Sequence, residues 1–122
     1  MRGKTKAEYY GKASRRCGPT REGSLVKACL GLLAGRKVFC WRNNTGAFYA
    51  DKRFVRFGLL GSADIFAVVK GQLWAIECKV GKNPLAPAQH AFGEELTRAG
   101  GHYIVVRDSV DTLIEELDGS GT

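Results

Sequence analysis

Apolar residues recur at helical spacing near the start of the chain and alternate with polar residues farther along it. The first stripe is formed by Leu25, Cys29, Leu32 and Leu33. This spacing predicts a helix with Thr20 as its N-cap that runs to about Ala34 and ends before Gly35. Extending the stripe back by one turn reaches Glu22, so an acid lies at the helix start in line with the core-facing side.

The remaining pattern predicts four strands and two more helices. The strands cover residues 37–42, 63–69, 73–80 and 102–107, and the helices cover 87–98 and 110–117. A tight turn at Lys70-Gly71-Gln72 joins the second and third strands into a hairpin, Pro87 suits a first helical turn, and Ser109 can cap the last helix. The order αβββαβα predicts an α/β fold with a mixed central sheet flanked by helices.

Residues 46–62 form a basic, aromatic segment that we expect to be a long loop with irregular strand pieces. It contains Phe48, Tyr49, Lys52, Arg53, Phe54, Arg56 and Phe57. Loops of this length in a small domain are usually functional or mobile. Its aromatic side chains either stack on unpaired bases or, as is more usual in a small domain, are buried in the core or an interface.

Acidic and basic residues interrupt the two apolar runs of the predicted hairpin. Alternation puts Trp74, Ile76, Cys78 and Val80 on one face of the second strand. Glu77 and Lys79 share the other face, and the short turn pairs Asp64 with the strand close to them. Two carboxylates and an ammonium therefore converge at one end of the sheet, where Glu22 can join them.

Clustered carboxylates repel one another unless a cation lies between them. Oxygen ligands favour a hard cation such as Mg²⁺ or Mn²⁺, which polarises phosphoryl oxygens and acidifies water. Lys79 could orient the attacking water or stabilise the charge that builds on phosphorus-bound oxygens. This chemistry hydrolyses phosphodiesters. The alternative is an edge strand on which Glu77 and Lys79 form an ordinary solvated ion pair.

The charge distribution favours a polyanionic partner. The chain has 122 residues and a net charge of +7. Residues 1–18 carry six Lys or Arg and one acid. Residues 19–107 carry thirteen Lys or Arg and six acids, and residues 108–122 carry five acids and no base. Nucleic acid is the commonest partner of such a basic body and arm, although the same charge also serves solubility.

We expect a single cytoplasmic domain. Residues 1–18 have the composition of a flexible basic arm, residues 19–118 form the domain, and residues 119–122 form a frayed tail. The chain lacks a long apolar run and an apolar leader, so neither a membrane span nor a signal peptide is expected. The four widely spaced cysteines lack zinc-site spacing and suggest reduced thiols, with Cys29 and Cys78 buried.

Three motifs together resemble a known family. They are "RNNTGA", "RFGLLGSADI" and "IECKVGKNPLAPAQHAF". In this order they resemble the virus-type replication-repair nuclease domain (VRR-NUC), a branch of the PD-(D/E)XK nuclease superfamily, over residues 20–107. The resemblance implies a divalent-metal-dependent nuclease with the restriction-endonuclease-like fold.

The resemblance also assigns site residues. Asp64 takes the Asp of the PD element, Glu77-Cys78-Lys79 takes (D/E)-x-K, and Glu22 takes the first-helix Glu. It implies the backbone carbonyl of Cys78 as an additional metal ligand, and Gln89 as the Gln of the S-x-x-Q-like element. Two positions depart from the family pattern: Ala63 replaces Pro, and Ala86 stands where Ser is common.

The resemblance points to branched or flap-like DNA, such as four-way junctions, as the substrate. Single-domain members of the family often resemble phage or prophage replication and repair proteins. Candidate phosphate contacts are Arg42, Arg53, Arg56 and Lys82. A domain this small can hardly span a junction, so a homodimer is expected, with the aromatic segment as one candidate surface. No membrane partner and no organic cofactor are expected. The alternatives are a non-catalytic nucleic-acid-binding module on a nuclease fold and a protein that binds an acidic partner.

Overall fold

The computed structural model describes residues 21–120. Its helices are α1 (Arg21–Gly35), α2 (Pro87–Arg98) and α3 (Asp111–Gly119). Its strands are β1 (Phe39–Arg42), β2 (Gly46–Ala50), β3 (Arg53–Phe57), β4 (Ile65–Val69), β5 (Gln72–Lys79) and β6 (His102–Arg107). The basic arm and the proposed cap Thr20 lie outside the described residues. No helix within the described range is long and apolar enough to cross a membrane.

Four strands form a mixed sheet in the order β1-β4-β5-β6. The β1–β4 and β4–β5 pairs are antiparallel, and β5–β6 is parallel. The parallel pair requires a crossover, and α2 supplies it, as in a βαβ unit. The predicted α/β class and the mixed sheet flanked by helices are confirmed.

The main core lies between one sheet face and the helices α1 and α3. The helices contribute Leu25, Val26, Cys29, Leu33, Leu113 and Leu117, and the strands contribute Ile65, Ala67, Val69, Trp74, Ile76, Cys78, Ile104 and Val106. The predicted apolar stripe of α1 and the apolar face of β5 both lie in this core. Cys29 and Cys78 are fully buried, as predicted.

Helix α2 covers part of the opposite sheet face through aromatic contacts. The Phe92 ring centroid lies 6.1 Å from that of Phe66 and 6.0 Å from that of Tyr103. Farther toward the edge strand β1, Phe39 and Trp41 are exposed. The second face is therefore only half covered by the described residues, and Glu77 lies on it under α2.

Tight turns shift several element ends from their predicted positions. Lys37 has φ 59°, which belongs to a left-handed turn, so β1 begins at Phe39 instead. The turn between β4 and β5 uses only Lys70 and Gly71, with φ 50° and 81°, so β5 begins at Gln72. The last helix begins at Asp111, whose N–H donates to Ser109 Oγ at 3.3 Å, and it extends to Gly119.

Residues 46–57 form a regular hairpin instead of the expected loop. Strands β2 and β3 pair antiparallel with each other in a separate sheet. The two-residue turn Asp51-Lys52 has positive φ at both positions, 49° and 62°. Such turns match the twist of paired strands but usually contain Gly or Asn, which explains why the sequence pattern missed this one. Its aromatic side chains are exposed, so their expected burial in the core is wrong for the described chain.

We predict opposite effects for two glycine-to-alanine substitutions in helices. A Cβ at Gly93 would lie 2.8 Å from Cδ2 of Tyr103, whereas a Cβ at Gly31 would have nothing within 4 Å. Gly93→Ala should lower the free energy of unfolding by about 1–2 kcal/mol through overpacking. Gly31→Ala should raise it by about 0.5–1 kcal/mol through helix propensity. Urea unfolding measures both, and equal effects would contradict the packing of α2 on Tyr103.

Candidate metal centre

The short β4–β5 turn brings Asp64 and Glu77 together. Ile65 pairs with Ile76, so extending the register by one residue places Asp64 opposite Glu77. Asp64 Oδ2 accepts a hydrogen bond of 2.8 Å from the backbone N–H of Cys78. The carboxylate is thus fixed at the end of β5 by a main-chain donor, and Asp64 lies opposite Glu77 as the hairpin predicted.

Glu22 joins this pair from the first turn of α1. One carboxylate oxygen each from Glu22, Asp64 and Glu77 lies within 4.8 Å of the others. The three residues come from α1, the segment before β4, and β5. This geometry could hold a metal ion, and it unites the three acids that the sequence analysis selected.

Glu77 is the buried member of the cluster, with 2% of its surface exposed. Burial is the main cause that raises the pKa of its carboxyl to about 8. The charge of Asp64, a hydrogen bond with Asp64 and the charge of Glu22 raise this pKa further, whereas the charge of Lys79 lowers it. Its Oε2 atom is buried without a hydrogen-bond partner among the described residues. Two adjacent carboxylates of this kind require a shared proton or a cation between them.

The solvated edge-strand explanation is wrong for Glu77 and Lys79. Strand β5 lies between β4 and β6, so it is an inner strand. Lys79 is half-buried at the end of β5, and its positive charge lowers the pKa of Glu77. The ammonium therefore acts electrostatically on the carboxylate cluster.

Gln89 links the start of α2 to Glu77. Its Nε2 donates to Glu77 Oε1 at 3.1 Å, and its Oε1 accepts from the backbone N–H of Ala86 at 2.8 Å. Ala86 offers no side-chain cap, so Gln89 satisfies one free N–H at the helix start. The same side chain orients the Glu77 carboxylate, so Gln89 lies beside the acid cluster.

The loop after β5 carries the exposed Lys82. Arg107 Nη1 donates to the carbonyls of Gly81 and Asn83, each at 2.8 Å. Asp108 Oδ1 accepts from the N–H of Gly81 at 2.7 Å. Lys82 is therefore held in a fixed loop close in sequence to Lys79. Sequence reasoning missed Arg107 because its partners are backbone carbonyls, which leave no motif.

The other three candidate phosphate contacts lie on or beside the β2–β3 hairpin. Arg42 ends β1, and Arg53 and Arg56 lie on β3, all with exposed side chains. Arg42 pairs in the sheet with Ile65, the residue after Asp64. Arg53 is near the tip of the hairpin, next to its turn. The structure thus brings Arg42 close to the acids in the sheet, whereas Arg53 extends away along the hairpin.

Tyr103 is a neighbour of the cluster that sequence reasoning missed. It pairs with Ala75, two residues before Glu77, and lies on the same sheet face. Its hydroxyl is buried without a partner among the described residues. Burial, followed by the charges of Glu77 and Asp64, raises the pKa of Tyr103 to about 12. The parallel register that brings it here depends on the α2 crossover, which the strand pattern alone does not determine.

Two thiols lie directly behind the acids. Cys78 Sγ donates to Cys29 Sγ across 3.9 Å in the core. This bond lowers the pKa of the Cys29 thiol and raises that of Cys78. It joins α1, which carries Glu22, to β5, which carries Glu77. The contact therefore supports the cluster from the core side.

A groove along α2 is separate from the acids. It has a volume of about 570 Å³, runs along α2 and β6, and is lined by residues that include Leu85, His90 and Tyr103. None of the three acids lines it. The carboxylate cluster therefore lies outside this groove, near the end of β5.

Comparison with known proteins gives no assignment. The chain matches no protein-family model. No curated protein is similar enough to count as a match. The functional interpretation therefore depends on the chemistry of the residues and on the motif resemblance alone.

Proposed function

We propose that this protein is a divalent-metal-dependent endonuclease that hydrolyses DNA phosphodiester bonds and has a PD-(D/E)XK-type fold. The observation that carries the proposal is the carboxylate cluster: Glu22, Asp64 and Glu77 supply oxygens within 4.8 Å of one another. They come from separate elements, and Lys79 follows Glu77 by two residues on the same strand face. A protein that only bound a phosphate backbone would gain nothing from three acids facing it.

The donor set fits a hard cation. The ligands are all carboxylate oxygens, and Glu77 Oε2 is buried without a partner among the described residues. Glu22, Asp64 and Glu77 would hold Mg²⁺ or Mn²⁺, and the family resemblance adds the carbonyl of Cys78. The chemistry that such an ion supplies when bound is Lewis acidity toward phosphoryl oxygen and water.

The surrounding residues position and neutralise charge. Gln89 donates to Glu77 Oε1 and so fixes the orientation of the carboxylate. The Cys78 N–H does the same for Asp64. Lys79 would stabilise the negative charge that builds on the phosphoryl oxygens as water attacks phosphorus and the ester oxygen leaves. Lys82 and Arg42 would contact phosphates on either side.

Branched DNA is the proposed substrate, on the strength of the motif resemblance. A four-way junction or flap is larger than this domain, so we propose that two copies act together as a homodimer, each cutting one strand. Light scattering of the free protein and of its junction complex measures this stoichiometry. A single copy in both states would contradict the dimer.

A cleavage panel tests the proposed function. Labelled single-stranded, duplex, flap and four-way-junction DNA are each incubated with Mg²⁺, Mn²⁺ or a chelator. We expect cutting with a metal and none with chelator, and the fastest reaction on a branched substrate. DNA that binds but is never cut with either metal would contradict the nuclease and favour the non-catalytic binding module.

A further inference from the structure

The β2–β3 hairpin is an exposed structure with no partner in the main sheet. Its two strands pair only with each other among the described strands. The described core includes no residue of either strand. A two-stranded hairpin is marginally stable alone in water, and exposed apolar groups in one patch usually mark a binding surface. The hairpin is thus a candidate surface that the metal chemistry does not explain.

One face of this hairpin presents two aromatic rings and a guanidinium together. Tyr49 pairs across the strands with Phe54, and their ring centroids lie 5.4 Å apart at an interplanar angle of 61°. Arg56 follows Phe54 by two residues, with its Cζ 5.6 Å from the Phe54 ring centroid. We call Tyr49, Phe54 and Arg56 the stacking face. Tyr49 and Phe54 remain 77% and 55% exposed, so flat surface is available to a partner.

A groove beside the stacking face adds concave surface. Its volume is about 320 Å³, and Phe54, Arg56 and Leu60 are among its lining residues. The groove is at the lower limit of the volumes that hold small ligands, about 300–1,000 Å³. Phe54 and Arg56 line the groove and also belong to the stacking face, so the two form one continuous surface.

The base of the hairpin is fixed to the metal centre. The N–H of Asn43 donates to the carbonyl of Asp64 at 2.8 Å, and Asn43 Nδ2 donates to Ser62 Oγ at 2.7 Å. A Cβ at Gly61 would lie 2.3 Å from the Ala88 carbonyl oxygen, so the turn between β3 and β4 passes tightly against the first turn of α2. Gln89 is the next residue of that turn. A chain bound at the acids would therefore pass the base of the hairpin, and it would reach the stacking face by running along the hairpin toward its turn.

The charge of the hairpin is opposite to that of a nucleic acid. Residues 42–60 contain Arg42, Lys52, Arg53 and Arg56, and Asp51 is their one acid. Exposed aromatics combined with Arg and Lys are the usual means of binding unpaired nucleotides, because bases stack on rings and phosphates pair with cations.

From these observations we infer that the stacking face binds unpaired bases of a nucleic-acid strand that extends from the metal centre. The inference rests on the proposed nuclease function for the identity of the strand. A second copy of the chain is the competing occupant. Charge favours the nucleic acid, since two copies of this basic hairpin would repel each other.

Binding measured in chelator tests the inference without hydrolysis. The full chain is titrated into a fluorescein-labelled oligonucleotide, single-stranded or as a blunt duplex, and followed by anisotropy. For the double variant Tyr49→Ala, Phe54→Ala, we expect Kd for the single strand to rise about 5- to 100-fold, with a smaller rise for the duplex. Arg56→Gln should lower the slope of log Kd against log salt by about one.

Two control variants remove the same kinds of side chain, an exposed aromatic ring and a positive charge, at positions outside the hairpin. Phe39→Ala removes an aromatic side chain that is 71% exposed on β1, at the sheet end far from Asp64. Lys70→Gln removes one positive charge at that same far end, in the β4–β5 turn. Both should bind the single strand as the wild type does. Circular dichroism confirms that each variant is folded.

The outcomes separate this inference from the proposed function. Unchanged single-strand binding by the hairpin variants would overturn the inference, whatever the cleavage panel gives. Weaker binding by the variants supports it even if no DNA is cut, in which case the nuclease proposal alone fails. If light scattering shows that the double variant turns a dimer into a monomer while binding per copy is unchanged, the hairpin is a protein–protein contact and the inference is wrong.

Discussion

Asp64→Asn should abolish metal-dependent DNA cleavage while leaving the fold intact. Asparagine retains an oxygen that can accept from the Cys78 N–H, the hydrogen bond of 2.8 Å that fixes this side chain. It removes the negative charge of a carboxylate in the three-acid cluster. Because a hard cation depends on charged oxygen ligands, the rate should fall by at least about 100-fold at saturating substrate. Initial rates on the best substrate of the cleavage panel measure this loss.

Lys79 should contribute to the rate of DNA cleavage through its positive charge alone. Lys79→Ala removes an ammonium that acts on the Glu77 carboxylate. We expect kcat to fall by about 100- to 1,000-fold, with a smaller change in KM, because the charge acts mainly on the transition state. A change confined to KM would instead assign Lys79 to substrate binding.

Matched controls are exposed charged residues outside the three-acid cluster. Asp111→Asn changes an exposed acid in the first turn of α3. Lys70→Gln changes an exposed lysine at the opposite end of the sheet. Both should cut DNA at the wild-type rate. Equal losses in the control and site variants would indicate a general effect of charge on DNA binding and would contradict the metal centre.

The second large effect concerns the stability of the metal-free protein. Without metal, its unfolding free energy should fall as pH rises from about 4.5 to about 8. The pKa of Glu77 is raised to about 8 in the fold, whereas the unfolded chain ionises near the ordinary value of 4.5. In that window the folded state holds a proton that the unfolded state has lost, so rising pH favours unfolding. The full effect is on the order of 4 kcal/mol.

The groups that face Glu77 determine how the unfolding free energy changes with pH. They are Asp64 before β4, Lys79 on β5, Glu22 on α1, Tyr103 on β6 and the neutral Gln89 on α2. The variant Glu77→Gln cannot ionise, and it retains an oxygen to accept from Gln89. In chelator at pH 9 it should therefore melt roughly 10–20 °C above the wild type, and its melting temperature should vary less with pH.

Added Mg²⁺ should reverse the order of the melting temperatures of the wild type and Glu77→Gln. A cation binds the ionised carboxylates of the folded state and stabilises that state by mass action, so the wild type should gain stability with Mg²⁺ above pH 8. Glu77→Gln lacks one charged ligand and should gain much less. Thermal unfolding followed by circular dichroism measures both, with the exposed acid variant Glu94→Gln as the control. Equal Mg²⁺ responses of the wild type and Glu77→Gln would contradict the assignment of Glu77 as a ligand.

The parts of the site that can be predicted from the sequence depend on local patterns within one element or one turn. The 3.6-residue stripe of α1 indicates the face on which Glu22 lies, and alternation in β5 separates Glu77 from the buried Cys78. The short turn at Lys70-Gly71 then fixes the register that brings Asp64 opposite Glu77. Three acids from distant positions could be grouped in this way because each step involved one element or one tight turn.

The parts that the sequence does not predict depend on long-range packing or on unusual turns. Tyr103 comes close to Glu77 only through the parallel β5–β6 register, which α2 and its contact at Gly93 impose. The β2–β3 hairpin turns at Asp51-Lys52 with positive φ and no glycine, so its turn signal is absent. Exposed aromatics there also break the usual expectation that rings in a small domain are buried.

The two-residue turn between β4 and β5 has a consequence for how the protein folds. Only 12 residues separate Asp64 from Glu77 in the chain, so closing this antiparallel pair costs little loop entropy. Hairpins of this kind form in about 1–10 μs, whereas parallel pairing of β5 with β6 must wait for the longer crossover. We expect the two acids to meet early in folding, before Glu22 and Gln89 arrive with their helices. Ions present at that moment would change the folding rate as well as the final stability.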